Sequence, residues 1–231
     1  MGQDTKTELV YRFFSGTGST YDLIAHFATF GFDRWWKSKI LEKIPEGSNK
    51  IMDQACGTGI LTLRIARQFP HCRVVGVDLL DEYLTLAKKK ARRLKLENVE
   101  FVLGRAEEVS LDEGFDCITS SYLAKYAELG SLIQNIRKML RPGGTLVMHD
   151  FTYPSDGTFA HLLELYFKLL QAVGRRTWPQ WKTALEDLPE LLRQTEWVTR
   201  LTWCLEENAF SEIHVQSLTL GTSAIVTARK M

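Results

Sequence analysis

The 231-residue chain reads as an α/β protein built on an open, mostly parallel sheet, and three observations carry that expectation. Residues 50–62, KIMDQACGTGILT, run apolar up to Asp53, break into the small residues Ala55, Cys56, Gly57, Thr58 and Gly59, and turn helical from Ile60. A second apolar run, RVVGVD, closes on Asp78 nineteen residues after Gly59. Strand, glycine turn, helix, strand and acid in this register make a β-α-β nucleotide site, in which the second acid accepts hydrogen bonds from a ribose. Apolar runs and helical periods then alternate as far as Asp150, the pattern of parallel strands joined by helices.

The glycine pattern narrows the nucleotide. A dinucleotide fingerprint places a third glycine three residues after the second, so that helix and strand close around a pyrophosphate. Here Thr62 holds that place. Gly57 and Gly59 still let backbone approach a ligand where a side chain would intrude. A ligand with a ribose but no pyrophosphate suits such a turn, and S-adenosylmethionine (SAM) offers a ribose for Asp78 and an amino-acid moiety for the glycines. A turn that merely joins a strand to a helix is the plainer alternative.

Taken in order, residues before Ile44 fall outside the sheet. Residues 9–14 suggest a short helix and 15–19 (SGTGS) a mobile loop. A helix over 21–30 ends at Gly31, and another over 34–44 carries Trp35, Trp36, Ile40, Leu41 and Ile44 on its apolar side. The two tryptophans read as packing residues rather than a roof over the ligand. After the second strand, 81–96 is a helix with Tyr83, Leu84, Leu86, Ala87 and Leu94 inward. Strands follow at 99–103 and 115–120, a helix at 129–140, a turn at 141–144 and a fifth strand at 145–149. Beyond Asp150 the alternation stops: 158–174 has a one-sided apolar stripe, 189–207 makes one helix or two, and 212–218 with 224–228 form an antiparallel hairpin turned at Gly221.

Net charge is +1 with a pI near 7.7, so no global field draws the chain to nucleic acid or anionic lipid. The basic run Lys88, Lys89, Lys90, Arg92 and Arg93 has no interleaved aromatics and is followed closely by glutamates, which makes it a solvated helix face. Cys56, Cys72, Cys117 and Cys204 lie far apart and form no CxxC pair, against a metal site or disulfide framework. Without a basic and then apolar leader, and with no run of eighteen apolar residues, the expectation is a cytoplasmic chain of one domain, 1–231. Nothing in the sequence sets an oligomeric state.

MDQACGTG, VVGVD, GRAEEV, FDCITS, LRPGGTLVMHD and the closing hairpin resemble the class I SAM-dependent methyltransferases over roughly 44–231. YDLIAHFATFGFDRWWK and LTLGTSAIVTARK are similar to segments of the ubiquinone/menaquinone biosynthesis C-methyltransferases. The resemblance implies a Rossmann-like, seven-stranded sheet with an antiparallel last strand; the residue pattern adds an N-terminal helical entry segment (1–44) and a helical insertion or lid (155–195). By position, Asp53, Ala55, Gly57 and Gly59 match the methionine-binding turn, Asp78 the ribose acid, Tyr21 a tyrosine near SAM, and Ser121 and Tyr122 the close of the fourth strand. With Leu79, Arg105, Ala106 and Ser120 these give an expected cofactor site of Tyr21, Asp53, Ala55, Gly57, Gly59, Asp78, Leu79, Arg105, Ala106 and Ser120. Two positions depart from the family: Arg105 stands where an aspartate usually meets the adenine amino group, and Lys125 and Tyr126 replace an arginine-asparagine pair.

Methyl transfer from a sulfonium is an in-line displacement, governed mainly by positioning. For a quinol ring carbon, one base that ionises the neighbouring hydroxyl suffices. His149, Asp150 and His26 are the candidates, with His149 first, although a histidine closing a strand is more often a structural residue. The function expected is methylation of a hydrophobic small molecule, a quinol carbon in the first instance. O- or N-methylation of another metabolite, or a SAM-binding subunit without chemistry, are the alternatives. The stripe of 158–181, with tryptophans beside Lys168, Arg175, Arg176 and Lys182, suits a lid that rests peripherally on a membrane.

Overall fold

The computed structural model describes residues 3–111, 114–155 and 157–231; Met1, Gly2, Asp112, Glu113 and Asp156, the last within the expected lid, lie outside the described residues. The apolar runs become strands β1 (Lys50–Gln54), β2 (Arg73–Asp78), β3 (Val99–Leu103), β4 (Phe115–Ser121), β5 (Leu140–Phe151), β6 (Phe210–Leu218) and β7 (Ser223–Lys230). They form a seven-stranded sheet of order β3-β2-β1-β4-β5-β7-β6, in which β7 runs antiparallel to both neighbours and the remaining pairs are parallel. The order reverses between β1 and β4, and a crevice opens beyond their carboxyl ends.

Strand alternation sends side chains to two apolar layers. Met52, Val75, Ile118, Leu146 and Val226 meet Leu132, Ile133 and Ile136 of α6 (Leu129–Met139) and Trp197, Leu201 and Leu205 of α9 (Trp197–Glu207). On the other face Ile51, Val74, Cys117, Val147 and Ile225 meet α3 (Phe32–Leu41) and α4 (Ile60–Gln68). A third cluster gathers Phe13 of α1 (Gln3–Phe14), Ile24 of α2 (Gly18–Phe27), Tyr126, and Trp181, Ala184 and Leu185 at the start of α8 (Lys182–Gln194). That cluster brings the N-terminal helices and the insertion together beside the crevice.

Several local expectations change. The SGTGS loop shrinks to three residues because α2 begins at Gly18, where an added Cβ would lie 3.0 Å from Tyr83 and Leu86 of α5 (Asp81–Arg93); only a glycine lets the two helices approach so closely. Helix α5 stops at Arg93, and Leu94, expected inward, is exposed just before Lys95 takes a left-handed φ of 54°. The expected turn at 141–144 is absorbed into β5 as an irregularity in its pairing with β4, with Gly143 at φ 74°. Trp36 is buried and its indole nitrogen donates to Thr219 Oγ1 at 2.6 Å, whereas Trp35 is exposed. The region 189–207 is split: Pro189 lies inside α8, and α9 is separate. Helix α7 (Gly157–Thr177) carries the expected stripe, yet Leu162, Leu165 and Leu169 are more than half exposed.

Candidate active site

The glycine turn is tied to the end of β2 by backbone amides that donate to one carbonyl and to the Asp78 carboxylate. Cys56 N donates to Val77 O at 2.9 Å, Gly57 N to Asp78 Oδ2 at 2.7 Å, and Leu80 N to Asp78 Oδ1 at 2.9 Å. Asp78 thereby fixes the loop after β1 while keeping further lone pairs for a ligand. Ala55, Gly57 and Gly59 take positive φ of 54°, 57° and 84°. The two glycines serve different ends. A Cβ on Gly57 would meet only Tyr83 Cδ2, at 3.7 Å, and would fill open space, whereas one on Gly59 would press on Ala87 and Leu63 at 3.2–3.3 Å. Gly57 thus leaves room for a ligand, and Gly59 lets α4 pack against α5.

Beneath the turn, Asp53 is buried and accepts from Thr62 Oγ1 at 2.6 Å and Thr119 Oγ1 at 2.9 Å. The threonine in the third-glycine place is therefore the hydroxyl that ties helix α4 to β1. Burial pushes the Asp53 carboxyl up to about 6, against the opposing pull of those two hydroxyls. Burial also raises Asp78, with the Leu80 and Gly57 amides opposing it.

Two cavities lie above this frame. The first, about 110 Å³, has Ala55, Gly57, Asp78, Leu79, Arg105, Ala106 and Tyr21 on its walls. Seven of the ten residues expected to bind the cofactor therefore line one cavity. Asp53, Gly59 and Ser120 do not line it. Asp53 braces the turn from below, Gly59 spaces two helices, and Ser120 is enclosed in the sheet while its neighbour Ser121 reaches the cavity. A one-residue difference at a strand end puts a side chain on the opposite face. The residues present fit SAM: an acid on the floor after β2, an uncovered glycine backbone, and apolar walls at Leu79, Leu80 and Ala106. Arg105 pairs with Glu108 at 2.9 Å. Two residues on, Glu107 also lines the cavity, where it accepts from Glu128 N at 3.3 Å; the sequence pattern, which puts the acid before Ala106, does not point to it.

The second cavity, about 340 Å³, is lined by Ile24, Ala28, Phe30, Phe32 and Trp36 from the N-terminal helices, by Phe159, Leu163, Tyr166 and Leu170 of α7, and by Leu185, Leu188 and Leu192 of α8. Phe14, Tyr21, Tyr122 and Tyr126 line both cavities and form the wall between them. Among the described lining residues Lys125 is the one charged side chain. Its Nζ donates to Asp150 Oδ1 at 2.6 Å, with both side chains almost fully enclosed, and lies 4.5 Å from the Tyr126 ring centroid. Burial lowers the Lys125 pKa and the Asp150 carboxylate opposes that. Tyr122, at φ 71°, donates to Asp33 Oδ1 at 2.7 Å and stacks on Phe151 with ring centroids 4.6 Å apart. Such a backbone is a strain for a bulky residue and persists only where neighbours hold it.

His149 corrects the base expected from sequence. Its ring is fully buried between Trp36 and Tyr122, Nδ1 lies 3.0 Å from Ser121 Oγ, Nε2 lies 2.9 Å from Ser223 Oγ, and it lines neither cavity. Burial, with Lys37 and Lys125 nearby, holds it well below the usual histidine range. With both nitrogens engaged by serine hydroxyls, it meets neither cavity directly. His26 is exposed at the end of α2, outside both cavities.

Comparison with known proteins agrees with this architecture. The chain is 26% identical to the ubiquinone/menaquinone biosynthesis C-methyltransferase of Rickettsia prowazekii, over 98% of this chain and 94% of that one. It is 25% identical to a demethylmenaquinone methyltransferase of Listeria monocytogenes, over 96% and 95%. Among solved structures, a SAM-dependent methyltransferase from Aquifex aeolicus shares the fold with a TM-score of 0.59 and 14% identity, over 100% of each chain. Residues 2–230 match the model of the ubiE/COQ5 methyltransferase family: the chain belongs to that family and is a SAM-dependent methyltransferase.

Proposed function

We propose that this enzyme methylates a ring carbon of a hydrophobic quinol in the biosynthesis of ubiquinone or menaquinone. The observation that carries this is the pair of cavities meeting at one aromatic wall, a small one floored by Asp78 and a larger, mostly apolar one in which Lys125 is the one charged side chain among the described lining residues. The names of the Rickettsia and Listeria relatives support the same acceptor class. In the donor cavity Asp78 holds the ribose, the Gly57 backbone borders the methionine moiety, and Glu107 meets the adenine edge. SAM supplies an electrophilic methyl group on a sulfonium when bound.

The chain's own contribution on the acceptor side centres on Lys125. Its ammonium, held by Asp150, stabilises a quinol bound as its phenolate, the hydroxyl proton having passed to water on entry; this places electron density on the adjacent carbon, and the proton which that carbon loses after methylation returns to the phenolate oxygen. The surrounding apolar side chains exclude water and hold the ring against the wall shared with the donor.

Helix α7 serves as a lid that meets a membrane. Leu165, Leu169 and Val173 face outward, and Phe27, Phe30 and Leu220 are exposed, while Lys168, Arg175 and Arg176 lie on the same helix. Among the described residues no helix is long and apolar enough to cross a membrane, and the lid needs only to dip into the interface of a membrane reached from the cytoplasm. Lipids from cells lacking the gene test the acceptor. Accumulation of a quinone precursor short by one methyl group is expected, and an unchanged quinone pool would remove quinols from consideration.

A further inference from the structure

The wall between the two cavities consists of four rings, Phe14, Tyr21, Tyr122 and Tyr126. With the donor in the first cavity and the acceptor in the second, as proposed above, the methyl group passes this wall, and in SAM it is carried on a positively charged sulfur. Aromatic faces attract cations, more strongly where water is excluded. Two of the rings already face ammonium groups: Lys125 Nζ lies 4.5 Å from the Tyr126 centroid and 5.3 Å from that of Tyr122, and Lys37 Nζ lies 4.7 Å from Tyr122. Phe14 and Tyr21 differ, since among the described residues no lysine or arginine stands over either ring within the shared wall.

These two rings are also set firmly. Tyr21 leans on Tyr83, with centroids 5.2 Å apart, and on Trp181 at 6.0 Å, while Phe14 meets Trp181 at 6.2 Å and Tyr126 at 5.8 Å. Helix α2 is held in turn by Asp22, which accepts from Thr58 of the glycine turn and from Lys90 of α5. Burial raises the Tyr21 phenol well above its usual range, so it presents a neutral ring rather than a phenolate.

We infer that Phe14 and Tyr21 form a cation-recognising face for the methylsulfonium, by which the N-terminal helices discriminate SAM from its uncharged product S-adenosylhomocysteine. Transfer of the methyl group leaves a neutral thioether, the attraction to the rings is lost, and the spent donor is held less tightly than it would be by shape alone. This depends on SAM as donor and is independent of which acceptor fills the second cavity.

Calorimetric titration of the purified protein with SAM and with S-adenosylhomocysteine tests it, with melting temperature as the check on folding. Tyr21→Leu and Phe14→Leu should each lose about 5- to 30-fold more affinity for SAM than for S-adenosylhomocysteine, the range of a cation–π contact that is partly to fully desolvated. Tyr21→Phe should keep the parent's ratio of the two affinities, because the face and not the hydroxyl acts. Equal losses for both ligands in the leucine variants would reduce the rings to packing, and a Tyr21→Phe ratio as low as that of Tyr21→Leu would transfer the role to the hydroxyl. If one leucine variant does not fold, the other decides by the same ratio.

Discussion

Lys125 and Asp150 allow structure and chemistry to be separated in one set of variants. The pair is enclosed, with side chains 2% and 0% exposed, and Asp150 Oδ1 also accepts from Phe151 N at 2.7 Å. Lys125→Met leaves that carboxylate buried without its cation, and loss of one partner of a buried pair costs about 3–5 kcal/mol. The single variant should therefore melt many degrees lower. Lys125→Met with Asp150→Asn removes both charges, but Asp150 accepts from two backbone amides, Phe151 N at Oδ1 and Lys125 N at Oδ2, and an asparagine keeps an oxygen for one of them only. The double variant should recover part of the melting temperature, because the unpaired buried charge is gone while one amide loses its acceptor. Turnover should not recover, because the charge facing the acceptor is gone; loss of one group that stabilises an oxyanion lowers the rate about 10²–10³-fold. Melting curves beside single-turnover transfer from methyl-labelled SAM give both readouts, and calorimetry confirms that donor affinity is retained. A double variant that folds and turns over at the parent rate would refute the role of Lys125.

Three further outcomes are expected. Asp78→Ala should weaken SAM binding by about 1.5–3 kcal/mol, roughly ten- to hundredfold in Kd, and a change below threefold by titration would remove Asp78 from the ribose. Asp53 holds its proton up to about 6 in the folded state, against roughly 4 when unfolded, so it contributes a fall in stability of on the order of 3 kcal/mol as pH rises from about 4 to about 6; in Asp53→Asn that contribution should be lost from urea unfolding curves across the window, leaving the decline due to Asp78, which burial also raises, and an unchanged slope would place the ionisation elsewhere. Leu165→Ser and Leu169→Ser, which line neither cavity, should each reduce flotation with anionic vesicles about tenfold or more, the scale of one leucine's transfer, while leaving the melting temperature intact; undiminished flotation would return α7 to an ordinary surface helix.

What could be read from sequence was set by the backbone. The glycine turn, Asp78 and the parallel alternation follow from local spacing, and the structure brings Ala55, Gly57, Asp78 and Leu79 to one cavity as that spacing requires. The roles that eluded the sequence belong to side chains whose direction depends on one residue of register. Ser121 and not Ser120 reaches the first cavity, and the His149 ring lies between two serine hydroxyls. Lys125 and Asp150 are 25 residues apart and become partners only where β4 and β5 lie side by side. The α7 stripe looks the same in sequence whether it faces a core, a cavity or a membrane; in the structure one side faces the second cavity, and Leu165 and Leu169 face outward.

The central claim, carbon methylation of a quinol held in the apolar cavity, meets its most direct test in one reaction. The purified enzyme is supplied with SAM bearing a trideuteromethyl group and with a reduced demethylmenaquinol, and the product is fragmented in a mass spectrometer. A trideuteromethyl group retained on the quinone ring after oxidation is the predicted result. Label on oxygen, or none on the quinol while another metabolite takes it, would contradict it.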